Sequence, residues 1–182
     1  MPKLDLDAAP AVTGTGYPKP YDEAVRGRSK RRVGDLAGLT QFGVNLTTLA
    51  SGAASAHRHW HESEDEFVFV LEGEVVLEED DGETVLRAGD AAGFKAGVPN
   101  GHRLVNRSDR KALLLEVGTR AAADAVTYTD PAIDMRVSKS PGEGWRSRSG
   151  TAARPIETKA RAETCRLSRS RLVPQPSKAA RL

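Results

Sequence analysis

The chain of 182 residues contains a single cysteine, Cys165, which excludes an internal disulfide framework and a metal site built from several cysteines. Such sparing use of cysteine is typical of a reducing compartment, so we expect a cytoplasmic protein. No run approaches the roughly 18 consecutive apolar residues of a membrane helix. The N-terminal MPKLDLDAAP also lacks the apolar segment of a signal peptide, and the sequence therefore predicts no membrane partner.

Basic and acidic residues are both common, but they are unevenly distributed along the chain. The net charge is +2, yet residues 136–182 contain 12 basic and 3 acidic residues. The first 135 residues therefore contain 15 basic and 22 acidic residues. An acidic body argues against nucleic-acid binding by the core domain.

The composition divides the chain into three zones. Residues 1–36 are rich in proline, glycine and charge, and we interpret them as an extended N-terminal arm. The arm contains RGRSKRR (residues 26–32), which is typical of a solvated basic segment, with an anion-binding patch as the alternative. Residues 120–182 form a C-terminal extension with few apolar clusters, which predicts a mostly disordered, basic tail.

The middle zone, residues 37–119, has the pattern of a β-domain. Short β-rich runs such as EFVFVL, EVVLEE, ETVLRA and ALLLEV are separated by glycine- and proline-containing turns, and no long run has helical periodicity. This pattern predicts an all-β barrel or sandwich. The segment EVVLEEDDGETVLRAGD predicts a hairpin that turns at Asp81-Gly82.

The stretch HRHWHESEDEF (residues 57–67) carries the strongest functional signal. Side chains alternate along a strand, so His57, His59 and His61 are expected on one face. Glu66 follows a short polar loop and can return a carboxylate to the same point, and the remaining histidine is His102. Three imidazoles and one carboxylate suit one divalent first-row metal, such as Mn, Fe, Co, Ni or Zn.

These residues resemble the two sequence motifs of the cupins. The first motif is roughly G-x5-H-x-H-x(3,4)-E-x6-G, and the second is roughly G-x5-P-x-G-x2-H-x3-N. The matching positions are Gly52, His59, His61, Glu66 and Gly73 for the first motif and Gly93, Pro99, Gly101, His102 and Asn106 for the second. The first gap is one residue too long, and the second motif lacks the two residues between glycine and histidine.

The resemblance implies a double-stranded β-helix, the jelly-roll barrel of small single-domain bacterial cupins. It also implies His59, His61, Glu66 and His102 as metal ligands. A register that uses His57 and His59 would place six residues between the second histidine and Glu66, which is too many for the motif. His57 is then left beside the site or exposed.

The resemblance leaves the activity open, since cupins host many functions. A metal-dependent dioxygenase, decarboxylase or isomerase acting on a small oxygen-rich molecule is one hypothesis, and a sugar- or acid-binding sensor without catalysis is the other. The loop residues Glu62, Glu64 and Asp65 are interpreted as solvated, with a general base as the alternative.

The sequence also predicts a homodimer. In EFVFVL, Val68 and Val70 share the parity of Glu66 and should face the barrel interior. Phe67, Phe69 and Leu71 should face outward, where a second subunit or the N-terminal arm would cover them.

Overall fold

The protein is seen in a computed structural model that describes residues 3–130, 133, 135–142 and 144–149. Thirteen strands are found in these residues. In chain order they are β1 (Val12–Thr13), β2 (Arg28–Arg31), β3 (Phe42–Leu49), β4 (His59–His61), β5 (Glu66–Glu72), β6 (Glu74–Glu79), β7 (Gly82–Arg87), β8 (Ala91–Phe94), β9 (Arg103–Val105), β10 (Ala112–Thr119), β11 (Asp124–Tyr128), β12 (Met135–Ser140) and β13 (Gly144–Ser149).

Helices are few and short in the described part of the chain. Two 3-10 helices span Leu6–Ala8 and Glu23–Val25, and the single α-helix, α1, spans Val33–Leu36. Among the described residues, no helix has the length and apolar character needed to cross a bilayer.

The strands form two facing walls. One wall is a six-stranded sheet in the order β1-β2-β3-β10-β5-β8. The other contains a four-stranded sheet, β13-β12-β11-β4, and a three-stranded sheet, β7-β6-β9. An isolated antiparallel bridge between His59 and His102 joins these two sheets. The neighbouring strands are antiparallel throughout, and the predicted all-β jelly roll is confirmed.

A core of aliphatic side chains fills the space between the walls. Along β5, Val68 and Val70 are buried while Phe67 and Leu71 are exposed, so the predicted alternation is correct. The other buried members of the cluster are Leu49, Ala53, Val75, Leu77, Leu86, Leu104, Ala112 and Leu114.

The hairpin between β6 and β7 turns one residue earlier than the sequence predicts. Glu79 pairs with Gly82, so the turn residues are Asp80 and Asp81. The Asp80 carboxylate fixes this position, because it accepts hydrogen bonds from the Arg58 guanidinium at 2.5 Å and the Gly101 backbone N–H at 3.1 Å.

The N-terminal arm is extended, as predicted, and part of it belongs to the barrel wall. Strand β2 pairs with β3, with Lys30 opposite Thr47. Val25 is buried against the barrel with 1% of its surface exposed. The arm therefore extends the six-stranded sheet rather than lying loosely beside it.

The C-terminal extension is ordered further than the sequence predicts. Strands β11, β12 and β13 lie between residues 124 and 149 and pair in sequence order, so the prediction of disorder is wrong for these strands. Their pairing with β4 supplies hydrogen bonds and burial that the composition of the segment does not reveal. The rest of the predicted tail, from residue 150, lies outside the described residues.

Candidate metal centre

The candidate metal centre lies where the two walls meet. His59 and His61 are on β4, and His102 is fixed to β4 by two backbone hydrogen bonds with His59, of 3.2 and 2.9 Å. Glu66 comes from the opposite wall, at the start of β5, where it pairs with Gly118 of β10. One wall therefore supplies three imidazoles and the other supplies a carboxylate.

The four side chains converge on one point. Ligand atoms of His59, His61 and Glu66 all lie within 4.8 Å of one another. Glu66 Oε2 is 3.0 Å from His102 Nε2 and 3.8 Å from His61 Nε2. The His59 and His102 rings are 5.3 Å apart between centroids. The structure thus brings His59, His61 and Glu66 within reach of one ion, and His102 joins them through its hydrogen bond to Glu66.

Hydrogen bonds to Nδ1 of His59 and of His61 leave Nε2 of each ring available to bind a metal. His59 Nδ1 donates to the His57 carbonyl at 2.7 Å, and His61 Nδ1 donates to Asp124 Oδ2 at 2.5 Å. Each ring then presents a Nε2 lone pair to the cluster. Histidine ligands in metal sites are commonly held in this way by a carbonyl or carboxylate.

The electrostatics of the cluster keep its groups in metal-binding protonation states. Burial lowers the pKa of His59 to about 4, against the attraction of Glu66, so its ring is neutral at physiological pH. Burial opposes the charge on Glu66, but the hydrogen bond from His102 and the neighbouring imidazoles lower its pKa to about 2. Neutral imidazoles and an ionised carboxylate are the forms that bind a cation.

This donor set fits a divalent transition metal. Imidazole nitrogens with one carboxylate suit several first-row ions, and the oriented Nε2 atoms match such a site. His102 is further fixed by stacking on Phe94, with ring centroids 3.5 Å apart. The residues therefore fit the group that the sequence motif implies.

A second cluster of His61, Glu64 and Asp124 shares one ring with the first. Its carboxylates are already satisfied by donors. Glu64 Oε1 accepts from Lys139 Nζ at 2.5 Å and from the Ala121 N–H at 3.0 Å, and Asp124 Oδ1 accepts from the Ser63 N–H at 2.8 Å. The Lys139 ammonium takes the place of a cation, so this cluster supports His61 rather than competing for a metal.

Glu64 and Asp124 are the residues that sequence reasoning missed. Glu64 was expected to be solvated, but only 12% of its side chain is exposed because Lys139 and the Ala121 N–H hold it inward. Asp124 belongs to the span predicted to be disordered, and its side chain is fully buried. The β-branched and aromatic residues Val126, Thr127 and Tyr128 are the signal that could have indicated a strand there.

His57 does not join the cluster. The prediction that it shares a face with His59 and His61 fails because residues 55–58 form bends, where strand alternation does not apply. Its Nε2 donates to the Tyr21 carbonyl at 2.7 Å, and its ring lies edge-on to Tyr17 at 5.0 Å. His57 therefore holds the N-terminal arm against the barrel.

The cluster opens into a cavity of about 660 Å³, large enough for a small metabolite. His59, Glu66 and His102 line its inner part. Lys139 and Trp145, from the C-terminal strands, also line it, and the Lys139 ammonium lies 5.0 Å from the Trp145 ring centroid.

Comparison with known proteins identifies the family. The family model described as a cupin domain matches residues 45–118. A sugar phosphate isomerase of the cupin superfamily from Silicibacter pomeroyi is 46% identical, with a TM-score of 0.78, and the alignment covers 84% of this chain and 98% of that chain. This chain belongs to the cupin superfamily. No match is found among proteins of curated function.

Two further solved structures are similar. A protein provisionally named a sugar phosphate isomerase, from Acidithiobacillus ferrooxidans, is 29% identical, with a TM-score of 0.61 and coverage of 67% of this chain and 76% of that chain. The polyketide cyclase RemF from Streptomyces resistomycificus is 18% identical, with a TM-score of 0.54 and coverage of 65% and 79%. The likeness to the cyclase shows the shared fold alone.

Asp124→Asn is expected to weaken metal binding about 10- to 100-fold. The Ser63 N–H holds the amide oxygen, so the Asn NH2 group would face His61 Nδ1 and disfavour the tautomer that presents Nε2. Competition with a coloured chelator measures the affinity. The exposed variant Asp109→Asn should match the wild type, and equal affinity in Asp124→Asn would contradict the assigned role.

The chelator-treated protein is expected to lose stability as the pH falls from 6.5 toward 4. The unfolded chain protonates His59 near pH 6.5, whereas the folded chain does so only near pH 4, so protons favour unfolding in this window. Glu66 stays ionised in both states until the pH approaches its ordinary 4.5. Urea unfolding at several pH values measures the free energy of unfolding. This free energy should depend less on pH in His59→Gln than in the wild type, and an unchanged pH dependence would contradict this assignment.

Proposed function

We propose that this cupin is a metal-dependent isomerase of a phosphorylated sugar, with His59, His61, Glu66 and His102 holding one divalent metal, Mn, Fe, Ni or Zn. The observation that carries the proposal is that three imidazoles surround the ionised Glu66 carboxylate and that His59, Glu66 and His102 line a metabolite-sized cavity. The reaction class comes from the 46% identical relative, whose name is that of a sugar phosphate isomerase.

Isomerisation of a sugar is a redox-neutral rearrangement within the substrate. A proton moves from one carbon of the sugar to its neighbour, so the reaction needs no external oxidant or reductant. When bound, a divalent metal polarises the oxygen atoms of its ligand as a Lewis acid. The protein then has to orient the sugar and supply a group that carries the proton.

Two groups on the cavity wall can carry a proton. The Tyr17 hydroxyl lines the cavity and accepts a hydrogen bond from the Tyr128 hydroxyl at 3.4 Å. Burial raises the pKa of Tyr128, so that hydroxyl stays protonated and acts as the donor. The Glu64 carboxylate lines the same cavity beside Lys139. Glu64 Oε2 lies 4.0 Å from His61 Nδ1, and Tyr17 lines the same cavity as His59, Glu66 and His102, so both are our candidates for proton transfer.

Metal content and proton exchange test the proposal together. The wild type should bind close to one equivalent of metal, His61→Ala should lose it, and the control His57→Gln should keep it. Metal-loaded wild type, incubated in D2O with a panel of aldose and ketose phosphates, should place deuterium on a carbon next to the carbonyl of one of them. NMR spectroscopy detects this exchange, and His61→Ala should not catalyse it.

Two outcomes would contradict the isomerase proposal. If the wild-type protein takes up no metal, the proposed metal centre does not exist. Metal-loaded protein that is stabilised by a sugar phosphate without any deuterium exchange would indicate the alternative function, a ligand-binding module without catalysis.

We also propose that the protein is a cytoplasmic homodimer that associates through the outer face of the six-stranded sheet. Phe67 and Leu71 on β5 expose 44% and 39% of their surfaces on this face, and Phe42 on β3 exposes 38%. Aromatic and aliphatic side chains exposed together are typical of a surface that a partner covers.

Leu71→Asp is therefore expected to convert the dimer to a monomer, because a buried unpaired carboxylate opposes association. Analytical ultracentrifugation measures the mass in solution. Val85→Asp is the matched control, since Val85 is 43% exposed on β7 of the other wall. A wild-type monomer, or a dimer that persists in Leu71→Asp, would contradict this interface.

A further inference from the structure

Strand β2 presents a row of cationic side chains to the cavity that holds the candidate metal centre. The sequence RGRSKRR places positive residues at alternate positions 28, 30 and 32, and Arg28, Lys30 and Arg32 all line this cavity. Arg31 has the opposite parity and pairs instead with Asp7 of the arm at 2.7 Å. Strand alternation therefore places Arg28 and Lys30 on one face of β2, and Arg32 follows the strand at the start of α1.

Two of these cations have no carboxylate partner. Lys30 Nζ is 2.6 Å from Glu116 Oε2, so these two charges balance. Across the part of the chain that the structure describes, no carboxylate lies within ion-pair distance of Arg28 or Arg32. The other cations of the cavity wall, Arg120 and Lys139, are paired with Asp35 and Glu64. The row therefore carries two uncompensated positive charges, which match the charge of a phosphate monoester.

The arginine donors are also partly available. Arg28 donates to the Ser55 carbonyl and, at 3.3 Å, to the Gly14 carbonyl. A guanidinium has five N–H donors, so three remain. Its backbone contacts fix the group in place, which reduces the entropy that a bound anion would have to remove. A planar guanidinium group matches the geometry of phosphate and carboxylate oxygens and can bind either with two hydrogen bonds.

The row and three of the candidate metal ligands line the same cavity. Glu66 on β5 is paired with Gly118 on β10, and Gly118 is paired with Gly43 on β3, the neighbour of β2. Three strand spacings separate β5 from β2, about 14 Å across the sheet, and Arg28, which is opposite Leu49, is also offset along β3 from the row that contains Gly43. Gly118 and Gly43 add no side chains of their own to this wall, and the Arg120 guanidinium lies over Gly43, 3.6 Å from where a Cβ would be.

We propose that Arg28 and Arg32, flanking Lys30, form a phosphate subsite that holds the phosphoryl group of the substrate while its sugar oxygens reach the metal centre. This assignment rests on the proposed function for the identity of the substrate. The chemistry of the subsite itself, two arginines facing a dianion, is independent of the metal.

Calorimetric titration tests the subsite with inorganic phosphate and with glucose 6-phosphate, using glucose as the unphosphorylated control. The full-length protein is used both metal-loaded and after treatment with a chelator, since phosphate can also bind a metal. The variants are Arg28→Gln and Arg32→Gln, with Arg31→Gln as the matched control on the opposite face of β2. Circular dichroism establishes that each variant is folded, and Arg32 is exposed, so its replacement should leave the fold intact.

Both phosphates should bind the wild type in either metal state, and glucose should bind more weakly than glucose 6-phosphate. Arg32→Gln and Arg28→Gln should each weaken phosphate binding about tenfold or more, because each removes charged hydrogen bonds. Arg31→Gln should bind within about twofold of the wild type, since its side chain is outside the row.

Phosphate binding that survives both Arg28→Gln and Arg32→Gln, or that requires the metal, would overturn the subsite. An equal loss in Arg31→Gln would overturn it as well, because the effect would then be one of general charge. Failure of the isomerase proposal has a different signature: arginine-dependent phosphate binding would persist while deuterium exchange is absent.

Discussion

The placement of one carboxylate, Glu66, among three imidazoles is the interaction on which the proposed function of the structure depends. Glu66 comes from the six-stranded wall, whereas His59, His61 and His102 come from the facing wall. Its negative charge, held by the hydrogen bond from His102 and kept ionised by its pKa of about 2, makes the point of convergence attractive to a cation. A metal at this point would cross-link the two walls.

Residues from segments on both sides of the barrel sequence support the metal centre. The C-terminal strand β11 brings Asp124 to the far nitrogen of His61, and Lys139 of β12 holds Glu64 beside it. The N-terminal arm is fastened by His57 and contributes β2, whose cations line the same cavity. The proposed metal ligands therefore lie within residues 45–118, the part that the cupin family model matches, while these supporting groups come from segments that flank it.

Local rules explain which features the sequence predicts. Alternation along β5 correctly separates buried Val68 and Val70 from exposed Leu71. The motif spacing predicts a cluster in which His59, His61 and Glu66 lie close together, with His102 bonded to Glu66. Asp124 could not be predicted to support His61, because their contact depends on pairing between β4 and β11, more than 60 residues apart. The predicted position of His57 is wrong because a bend, rather than a strand, sets the direction of its side chain.

A crystal structure of the metal-loaded protein, with anomalous scattering measured at the absorption edge of the bound metal, tests the central claim most directly. The account predicts one anomalous peak within about 2.0–2.3 Å of His59 Nε2, His61 Nε2, His102 Nε2 and a Glu66 oxygen, with Asp124 still bonded to His61 Nδ1. A peak between His61, Glu64 and Asp124, or no peak at either cluster, would contradict it.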